Sequence, residues 1–394
     1  MIDKTSRKYD ILLLGATGYT GSLVAEHISA NLPTNLRWAI SGTSLTKLKR
    51  LAEKLRRGFV DRLQPCMFML TDQPSIVLYH SPAGEQVVRA CVENGTDYVD
   101  CAAIPELQQT WIRKYHDIAE KNGTALIHGC GALITPLDLI VWLLARDIRE
   151  KWSTRIRDVT LRLDELDTNL SGGTIRTVIS HASLSPSRLK QHNKTPTIKR
   201  GVHHHPILGW LASSSVTADQ DRAQIYRTWG LLQPNYYGAD FSFDEYEKAD
   251  SWFGGLGLLL QSFVIGIIVS LARIPLLKIL MLWAAPKSGG GPDIETARKV
   301  PVSMEAVAVA DDDDEEGGEA ERSRYAHAKF LYPGGHYPVS ALFMAQAAAS
   351  LLFCRRLEGG IKGGCLTPAV LGQDFVDRTE SVGVQWMVES REGW

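Results

Sequence analysis

Short apolar runs alternate with longer amphipathic segments through the first third of the chain. The first run, Ile-Leu-Leu-Leu at 11–14, leads into a glycine-rich turn at 15–21 and then into a segment of helical period at 20–31. Similar runs recur, most of them with a helical pattern in between, at 35–41, 65–70, 76–79, 97–101 and 125–128. Strands that alternate with helices predict a Rossmann-type, doubly wound parallel α/β sheet over residues 1–136.

One interval departs from this alternation. Only residues 73–75 separate Asp72 from the apolar run at 76–79. A parallel crossover takes about a dozen residues and usually includes a helix. The sequence therefore predicts that one crossover helix is missing.

The turn after the first run has the spacing Gly-x-x-Gly-x-x-Gly. Glycine lets the backbone turn tightly and approach a pyrophosphate, and the N–H groups and dipole of the following helix attract its charge. We therefore expect a dinucleotide site formed by Gly15, Ala16, Thr17, Gly18, Tyr19, Thr20 and Gly21. A plain tight turn is the alternative interpretation.

The end of the second run is where the ribose of a dinucleotide is recognised. An acid there would bind the 2′-hydroxyl of NAD and repel the 2′-phosphate of NADP, but positions 36–51 contain no Asp or Glu. We therefore expect NADPH to be preferred over NADH. This half of the site would be completed by Ser41, Gly42, Thr43 and Lys47. The neighbouring cations Lys49 and Arg50 fit the solvated face of a helix equally well.

The second half, residues 137–394, has a different pattern. Residues 157–164 alternate strictly between polar and apolar side chains, which is the period of a strand with one polar face. A helix is predicted from about residue 175, capped by Ser171 or Thr174. We expect an α+β domain that serves substrate binding or dimerisation and carries a long apolar helical insert.

That insert begins with the longest apolar stretch, residues 252–272, which contains no charged residue in 21 positions. About 20 residues at 1.5 Å rise cross a hydrocarbon core of about 30 Å, and Trp252 and Arg273 stand where interfacial anchors belong. A shorter apolar block follows at 274–285. We expect the segment 252–285 to contact a membrane, either as a span or as a hairpin dipped into one face. A helix pair buried inside the protein is the alternative.

Composition narrows the classes of partner. The net charge of -1 gives no basic field that would attract nucleic acid. Six cysteines without Cys-x-x-Cys pairs and a polar N-terminal stretch fit a reducing, intracellular setting. Together with the apolar insert, this predicts an intracellular, membrane-associated protein. The acidic run at 311–319 fits a solvated loop better than a calcium site, and the three histidines at 203–205 fit an exposed loop better than a metal centre. No metal is expected.

Three stretches resemble one known family. The sequence Gly-Glu-Gln-Val-Val-Arg-Ala-Cys-Val-Glu-Asn-Gly-Thr-Asp-Tyr-Val-Asp at 84–100 is similar to the saccharopine dehydrogenase-like oxidoreductases, which include the trans-acting enoyl reductases of lipid and polyketide assembly. The turn at 15–21, the Lys47-Leu48 pair and the stretch Gly-Gly-Cys-Leu-Thr-Pro-Ala at 363–369 match the same family. The resemblance implies an NADP-dependent oxidoreductase whose second domain covers the cofactor cleft.

The chain departs from the family pattern near the expected position of the nicotinamide. Residues 76–82 replace an Asn-x-Val-Gly-Pro-Tyr-like segment, and the family's acids are absent at 103–105 and 131–136. The candidate proton donors nearest in chain order are Tyr79, His80 and Asp100. Each also fits a structural role, so no catalytic residue is assigned.

These features favour an NADPH-dependent reductase that delivers hydride to an apolar substrate at a membrane surface. The substrate would be an acyl or polyketide-type molecule, free or bound to a carrier, and a homodimer is left open. Two alternatives stand beside this hypothesis. One is a membrane-associated nucleotide-binding protein without turnover, because of the short crossover and the lost acids. The other is saccharopine or another amino-acid dehydrogenase, for which the apolar insert would serve no purpose.

Overall fold

The computed structural model of the chain describes residues 7–67, 74–79, 84–102, 104–165, 169–181, 199–233, 235–287, 289–311 and 324–393. The strands in these residues are β1 (Tyr9–Leu14), β2 (Trp38–Ser41), β3 (Cys66–Met67), β4 (Pro74–Tyr79), β5 (Asp97–Asp100), β6 (Ala125–Ile127), β7 (Arg155–Glu165), β8 (Val202–His205), β9 (Gly209–Ala212), β10 (Tyr237–Lys248), β11 (Val302–Asp311), β12 (Arg324–Tyr332), β13 (Gly364–Leu366) and β14 (Gln385–Glu392).

The α-helices in the same residues are α1 (Tyr19–Asn31), α2 (Leu45–Gly58), α3 (Glu85–Glu93), α4 (Pro105–Asn122), α5 (Ile134–Trp152), α6 (Gly172–His181), α7 (Ala218–Leu232), α8 (Trp252–Leu271), α9 (Pro275–Ala284), α10 (Ile294–Ala297), α11 (His336–Ala349) and α12 (Gly372–Glu380). A π-helical turn at Ser350–Cys354 extends α11. Two short 3₁₀ turns, Glu358–Gly360 and Pro368–Leu371, flank β13.

The first sheet is parallel and has the strand order β13-β6-β5-β4-β1-β2-β3. Its interior strand β1, which lies between β4 and β2, is apolar on both faces. Ile11 and Leu13 enter the large core that α1 also faces, whereas Leu12 enters a second core that contains Trp111. A parallel sheet needs burial on both faces because helices cover it on both sides. The predicted Rossmann-type α/β architecture is confirmed.

The short crossover lies between β3 and β4. β3 pairs with β2 and β4 pairs with β1, so residues 68–73 connect strands three positions apart in the sheet. The prediction that a crossover helix is missing falls on residues 68–73, which lie outside the described residues. The end of the predicted third strand and Asp72 lie outside the described residues.

The second sheet has the order β14-β12-β11-β7-β10-β9-β8, in which β7 and β10 are parallel and the other pairs antiparallel. The predicted alternating strand is β7, whose Ile156, Val159 and Leu161 are buried in the large core under α5. An α+β second half is therefore confirmed. Of the predicted acidic loop, Asp311 is the last residue of β11, and the remaining positions, 312–319, lie outside the described residues.

The two sheets share chain segments and a core. β13, from the second half of the sequence, forms the edge of the first sheet, and α11 packs on α1. One continuous cluster of buried apolar side chains reaches from Ile11 in β1 to Phe330 in β12. The domain boundary at residue 136 stays a prediction.

The prediction of an exposed loop at residues 203–205 is wrong, because these histidines form the edge strand β8, paired with β9. The His203 ring packs edge-on against Tyr246 with 4.8 Å between centroids. The His205 Nδ1 atom accepts the backbone N–H groups of Ile207 and Leu208, each at 3.2 Å. A run of three histidines does not by itself indicate which residues will make such ring contacts and hydrogen bonds with it.

The apolar insert forms α8 and α9. Both helices are exposed nearly all round: Gly255 is the buried residue of α8, and α9 has none. Of the twenty-four exposed large hydrophobic side chains in the described residues, fifteen lie between Trp252 and Trp283. A helix that is apolar all round is expected inside a protein core or a membrane. Because α8 and α9 are exposed, we expect a partner to cover these side chains.

Candidate functional site

The glycine turn joins β1 to α1 in a conformation that favours glycine. Gly15 has a φ of 75°, in the left-handed region, and its carbonyl accepts the N–H of Gly18 at 2.9 Å. A Cβ atom on Gly21 would lie 2.2 Å from the same carbonyl oxygen. The turn is therefore a bare backbone surface packed against the start of α1.

α1 begins without a side-chain cap. Gly18 occupies the N-cap position and makes no side-chain hydrogen bond. The first N–H groups of any helix lack intrahelical partners, and together with the helix dipole they favour a bound anion. The cradle fits the diphosphate of a dinucleotide because it combines these donors with space that a Cβ atom would fill.

The end of β2 lies against the glycine turn. Ala16 N–H donates to the Ser41 carbonyl at 2.9 Å. A Cβ atom on Gly42 would lie 2.8 Å from the Thr17 Oγ1 atom, so this glycine permits close approach. The structure thus brings together the two groups of predicted cofactor residues, those of the turn and those of the second strand.

The start of α2 completes this rim. The Ser44 hydroxyl caps the helix by accepting Lys47 N–H at 3.4 Å, and the first turn of α2 contains no acidic residue. Thr43 and Lys47 are exposed beside the turn. A cation and hydroxyl groups at this place suit a 2′-phosphate. Cofactor binding by all these residues stays a prediction.

A buried tyrosine connects the turn to the second half of the chain. The rings of Tyr19 and Tyr337 meet edge to face with 4.9 Å between centroids. The Tyr337 hydroxyl accepts Ser171 N–H and lies 3.1 Å from the Thr174 Oγ1 atom. The Ser171 hydroxyl accepts Thr174 N–H at 3.3 Å, which confirms Ser171 as the cap of α6. Sequence reasoning missed Tyr337 because no motif marks the first turn of α11.

A buried ion pair lies at the carboxyl ends of β5 and β6. Asp100 Oδ2 is 2.9 Å from His128 Nδ1, and both side chains are almost fully buried, at 0% and 3% exposed. The other oxygen of Asp100 accepts the N–H groups of Ala102 and Gly129 at 3.0 and 3.2 Å. Asp100, one of the candidate proton donors, is therefore fully engaged in fixing two strand ends.

Burial alone would lower the pKa of His128. The negative charge of Asp100 and the hydrogen bond to it outweigh burial and raise the pKa of His128 to about 10. An imidazolium that is held this firmly is a poor proton donor at neutral pH, because efficient general acids have a pKa near the working pH. The pair therefore has a structural role, because it holds the carboxyl ends of β5 and β6 together.

The stretch at 363–369, which matches the family motif in the sequence, also has a structural position here. Ala369 N–H donates to Asp138 Oδ2 at 2.8 Å. The Thr228 hydroxyl donates to the other oxygen of Asp138 and lies 2.7 Å from the Thr367 hydroxyl. Burial raises the pKa of Asp138 to about 7, although these hydrogen bonds oppose the shift. Asp138 therefore ties β13 and α7 to α5.

The remaining donor candidates are not described at the level of side chains. Tyr79 ends β4, with its backbone placed beside Leu14 and Asp100, and His80 lies outside the described residues. No catalytic residue is assigned on this basis.

The proteins that this chain resembles in sequence share one class of enzyme. No model of a protein family matches the chain. The trans-acting enoyl reductase of Mycobacterium leprae is 26% identical over 421 residues, which cover 96% of this chain and 97% of that protein. The trans-acting enoyl reductase of Mycobacterium tuberculosis (strain H37Rv) is 25% identical over 422 residues, with the same coverage of 96% and 97%.

The chain is an oxidoreductase. The full-length similarity confirms both this class and the resemblance to trans-acting enoyl reductases that the motifs predicted. Among solved structures, apo saccharopine dehydrogenase (L-Glu forming) from Saccharomyces cerevisiae aligns with a TM-score of 0.49 at 13% identity, covering 97% of this chain and 99% of that one.

Proposed function

We propose that the chain is an NADPH-dependent enoyl reductase that acts on an apolar acyl or polyketide-type substrate at a membrane surface. The observation that carries the proposal is the bare backbone cradle between β1 and α1, with the acid-free end of β2 directly beside it. Similarity to named enoyl reductases over nearly the full length of the chain supports the reaction class.

The cofactor preference is argued from charge. Thr17 and Gly42 are in contact at the end of β2, and Lys47 stands on the following turn, exposed to solvent. A Lys ammonium strengthens a hydrogen bond to a phosphate oxygen, whereas a 2′-hydroxyl gains little from it. These residues would hold the 2′-phosphate of NADPH, and the N–H groups at the start of α1 would hold the diphosphate.

When bound, NADPH supplies the hydride that reduces the carbon–carbon double bond. The residues of this chain bind and orient: the turn fixes the diphosphate, and the contact between Tyr19 and Tyr337 closes the side that faces α6. Orientation and exclusion of water contribute much of the rate in such reactions. The proton donor is not assigned.

The substrate class is argued from α8 and α9. Helix α8 has 20 residues with a mean hydropathy of 2.1, and only 6% of its most apolar stretch is buried. At 1.5 Å per residue it is about 30 Å long, the thickness of a hydrocarbon core. A lipid-like acyl chain would reach the enzyme directly from such a surface, whereas a polar amino acid would gain nothing from it.

The test is calorimetric titration of the wild-type chain with NADPH and NADH, compared with the variants Lys47→Ala and Gly18→Asp. Loss of one charge-assisted hydrogen bond is worth about 1.5–3 kcal/mol, so Lys47→Ala should weaken NADPH binding by roughly 10–100-fold and leave NADH binding unchanged. Gly18→Asp should abolish binding of both, because it places a carboxylate against the diphosphate.

The matched control is Gly58→Asp, at the end of α2, where a Cβ atom would meet no neighbour within 4 Å. This variant should bind NADPH as the wild type does. Turnover is then measured with an enoyl-thioester. NADPH binding that survives Gly18→Asp would show that the nucleotide does not use this cradle and would overturn the proposal.

A second candidate function is nucleotide binding without turnover. The short connection between β3 and β4, across three sheet positions, favours it because this region flanks the expected nicotinamide pocket. Tight NADPH binding without oxidation by any enoyl-thioester, in the presence of vesicles, would favour this candidate over the reductase.

A further inference from the structure

The segment that leaves α9 runs back to the glycine turn. We name residues 285–292 the strap; the structure describes all of them except residue 288. At its start, the Arg176 guanidinium of α6 donates to the carbonyls of Ala285 and Pro286 at 3.1 and 3.0 Å. Ala285 is also the C-cap of α9, so the strap begins directly at the end of this apolar helix.

The middle of the strap makes backbone contact with the start of α6. Gly290 N–H donates to the Lys287 carbonyl at 3.0 Å. The Gly290 carbonyl in turn accepts Gly172 N–H at 3.0 Å. A Cβ atom on Gly172 would lie 2.5 Å from the Lys287 carbonyl oxygen, so glycine is needed for this approach.

The far end of the strap lies on residues predicted to bind the cofactor. The Tyr19 hydroxyl donates to the Pro292 carbonyl at 2.8 Å, and a Cβ atom on Gly291 would lie 2.5 Å from the Tyr19 ring. The corresponding position on Gly289 is 3.7 Å from the Thr17 carbonyl oxygen and 3.9 Å from the Lys47 Nζ atom. The strap therefore covers one side of the site that a nucleotide would occupy.

We propose that the strap is an inhibitory contact that links nucleotide affinity to a lipid bilayer, the partner of α8 and α9. In the lipid-free chain the strap is bonded to Tyr19 and lies beside Thr17 and Lys47, where it competes with the phosphates. When α9 partitions into a bilayer, its rigid attachment through Ala285 draws the strap away, and the cradle opens. This inference rests on the proposed function.

The length and lack of charge of α8, together with an exposed tryptophan in α9, favour a bilayer as the partner. α8 is uncharged and long enough to match a hydrocarbon core, and Trp283 in α9 is 85% exposed, as an interfacial aromatic anchor would be. An enzyme with an apolar substrate gains from this arrangement, because NADPH would bind more tightly where that substrate is present.

The experiment measures NADPH affinity of the full chain by calorimetry with and without phosphatidylcholine vesicles. Allosteric couplings are typically 5–150-fold, and we expect vesicles to tighten NADPH binding by at least about 5-fold. Because coupling is reciprocal, saturating NADPH should tighten vesicle binding by the same factor. Trp283→Asp should remove the vesicle effect and leave lipid-free NADPH affinity unchanged.

A second variant tests the strap directly. Arg176→Gln removes the two hydrogen bonds from the Arg176 guanidinium to the strap and so weakens its attachment to α6. Lipid-free NADPH affinity should therefore rise toward the vesicle-bound value, and the vesicle effect should shrink. The matched control is Arg298→Gln, which removes an exposed arginine paired only with Glu295 in the described residues, beyond the end of the strap. It should leave the coupling unchanged.

The outcomes separate this inference from the proposed function. No NADPH binding in either condition overturns the proposed function and the inference with it. NADPH binding that vesicles leave unchanged or weaken overturns the inference alone. An affinity that rises with protein concentration, but not with vesicles, would identify a second copy of the chain as the partner of α8 and α9 and would likewise overturn it.

Discussion

Two helices of nearly equal length and apolar character have opposite surroundings in this protein. Trp252–Leu271 and the segment His336–Cys354 are both long and apolar enough to cross a membrane, with mean hydropathies of 2.1 and 1.5. Only 6% of the first is buried, against 78% of the second. Apolar length alone therefore does not decide whether a helix belongs to a core or to a surface that needs a partner.

The difference lies in the neighbours that each helix finds. α11 packs against α1, α12 and β5, and its few polar groups are used: Ser340 accepts the Ala132 N–H at 2.9 Å, and Gln346 Nε2 lies 3.1 Å from His27 Nε2. α8 is attached mainly to the edge strand β8 and to its neighbour β9. A core helix places its polar residues where hydrogen-bond partners are available, whereas α8 has no charged residue along its length.

The largest expected difference between the two helices concerns a buried charge. Leu342 in α11 is 1% exposed and Leu260 in α8 is 64% exposed. Leu342→Asp should lower the free energy of unfolding by more than about 4 kcal/mol, because an unpaired carboxylate would be buried. Leu260→Asp should change it by less than about 0.5 kcal/mol. Urea unfolding of both variants measures this contrast.

If Leu342→Asp fails to fold at all, Leu342→Ala provides the measurement, with an expected loss of about 2–5 kcal/mol. Equal effects of the two Asp variants would mean that α8 is packed against protein in solution.

The second expected effect concerns pH at the contact between α1 and α11. Burial lowers the pKa of His27 to about 4, below its unfolded value of about 6.5. The stability from a neutral His27 is therefore fully present above pH 6.5 and is lost as the pH falls toward 4. The loss amounts to at most about 3.5 kcal/mol, at about 1.4 kcal/mol per pKa unit.

Urea unfolding at a series of pH values from 7 to 4 tests this expectation. The variant His27→Gln should lose this part of the pH dependence, because its side chain does not titrate. Identical pH profiles for the two proteins would show that His27 is not held neutral against α11.

The smallest expected effect concerns the attachment of α8. A Cβ atom on Gly255 would lie 2.6 Å from the Val202 side chain of β8, whereas one on Gly257 would meet no neighbour within 4 Å. Overpacking costs about 1–3 kcal/mol, partly offset by the roughly 1 kcal/mol that Ala gains over Gly in a helix. Gly255→Ala should therefore lower stability by about 1 kcal/mol, and Gly257→Ala should raise it by about as much.

The measurement is the shift in the urea midpoint for each variant. A stabilising effect of both substitutions would mean that α8 does not rest on β8 through Gly255.

Local patterns predicted the elements of the first sheet well. The order of strand, glycine turn and helix was correct because it is encoded within a few residues, and α4 begins at Pro105 and ends at Asn122 as the helical pattern and its boundaries predict. The alternation at 157–164 identified β7, although the strand extends from Arg155 to Glu165. Period and capping residues carry this information because they act over one or two turns.

Long-range features escaped the sequence analysis for a physical reason. The pairing of β13 with β6, the packing of Tyr337 on Tyr19 and the bonds from Thr228 to Asp138 each join residues far apart in the chain. Periodicity contains no information on such partners. The strap is the same kind of case, because only the folded chain shows that its glycines lie against Tyr19 and the glycine turn.

The position of β13 has a consequence for how the chain folds. Gly364 pairs with Ala125, so the edge strand of the first sheet comes from residues made late in synthesis. Long-range pairings close slowly because the entropy of a large loop must be lost first. Until β13 arrives, β6 is an open edge that invites aggregation. The chain should therefore depend on chaperones during synthesis, since the first sheet is completed only after most of the second half of the chain has emerged from the ribosome.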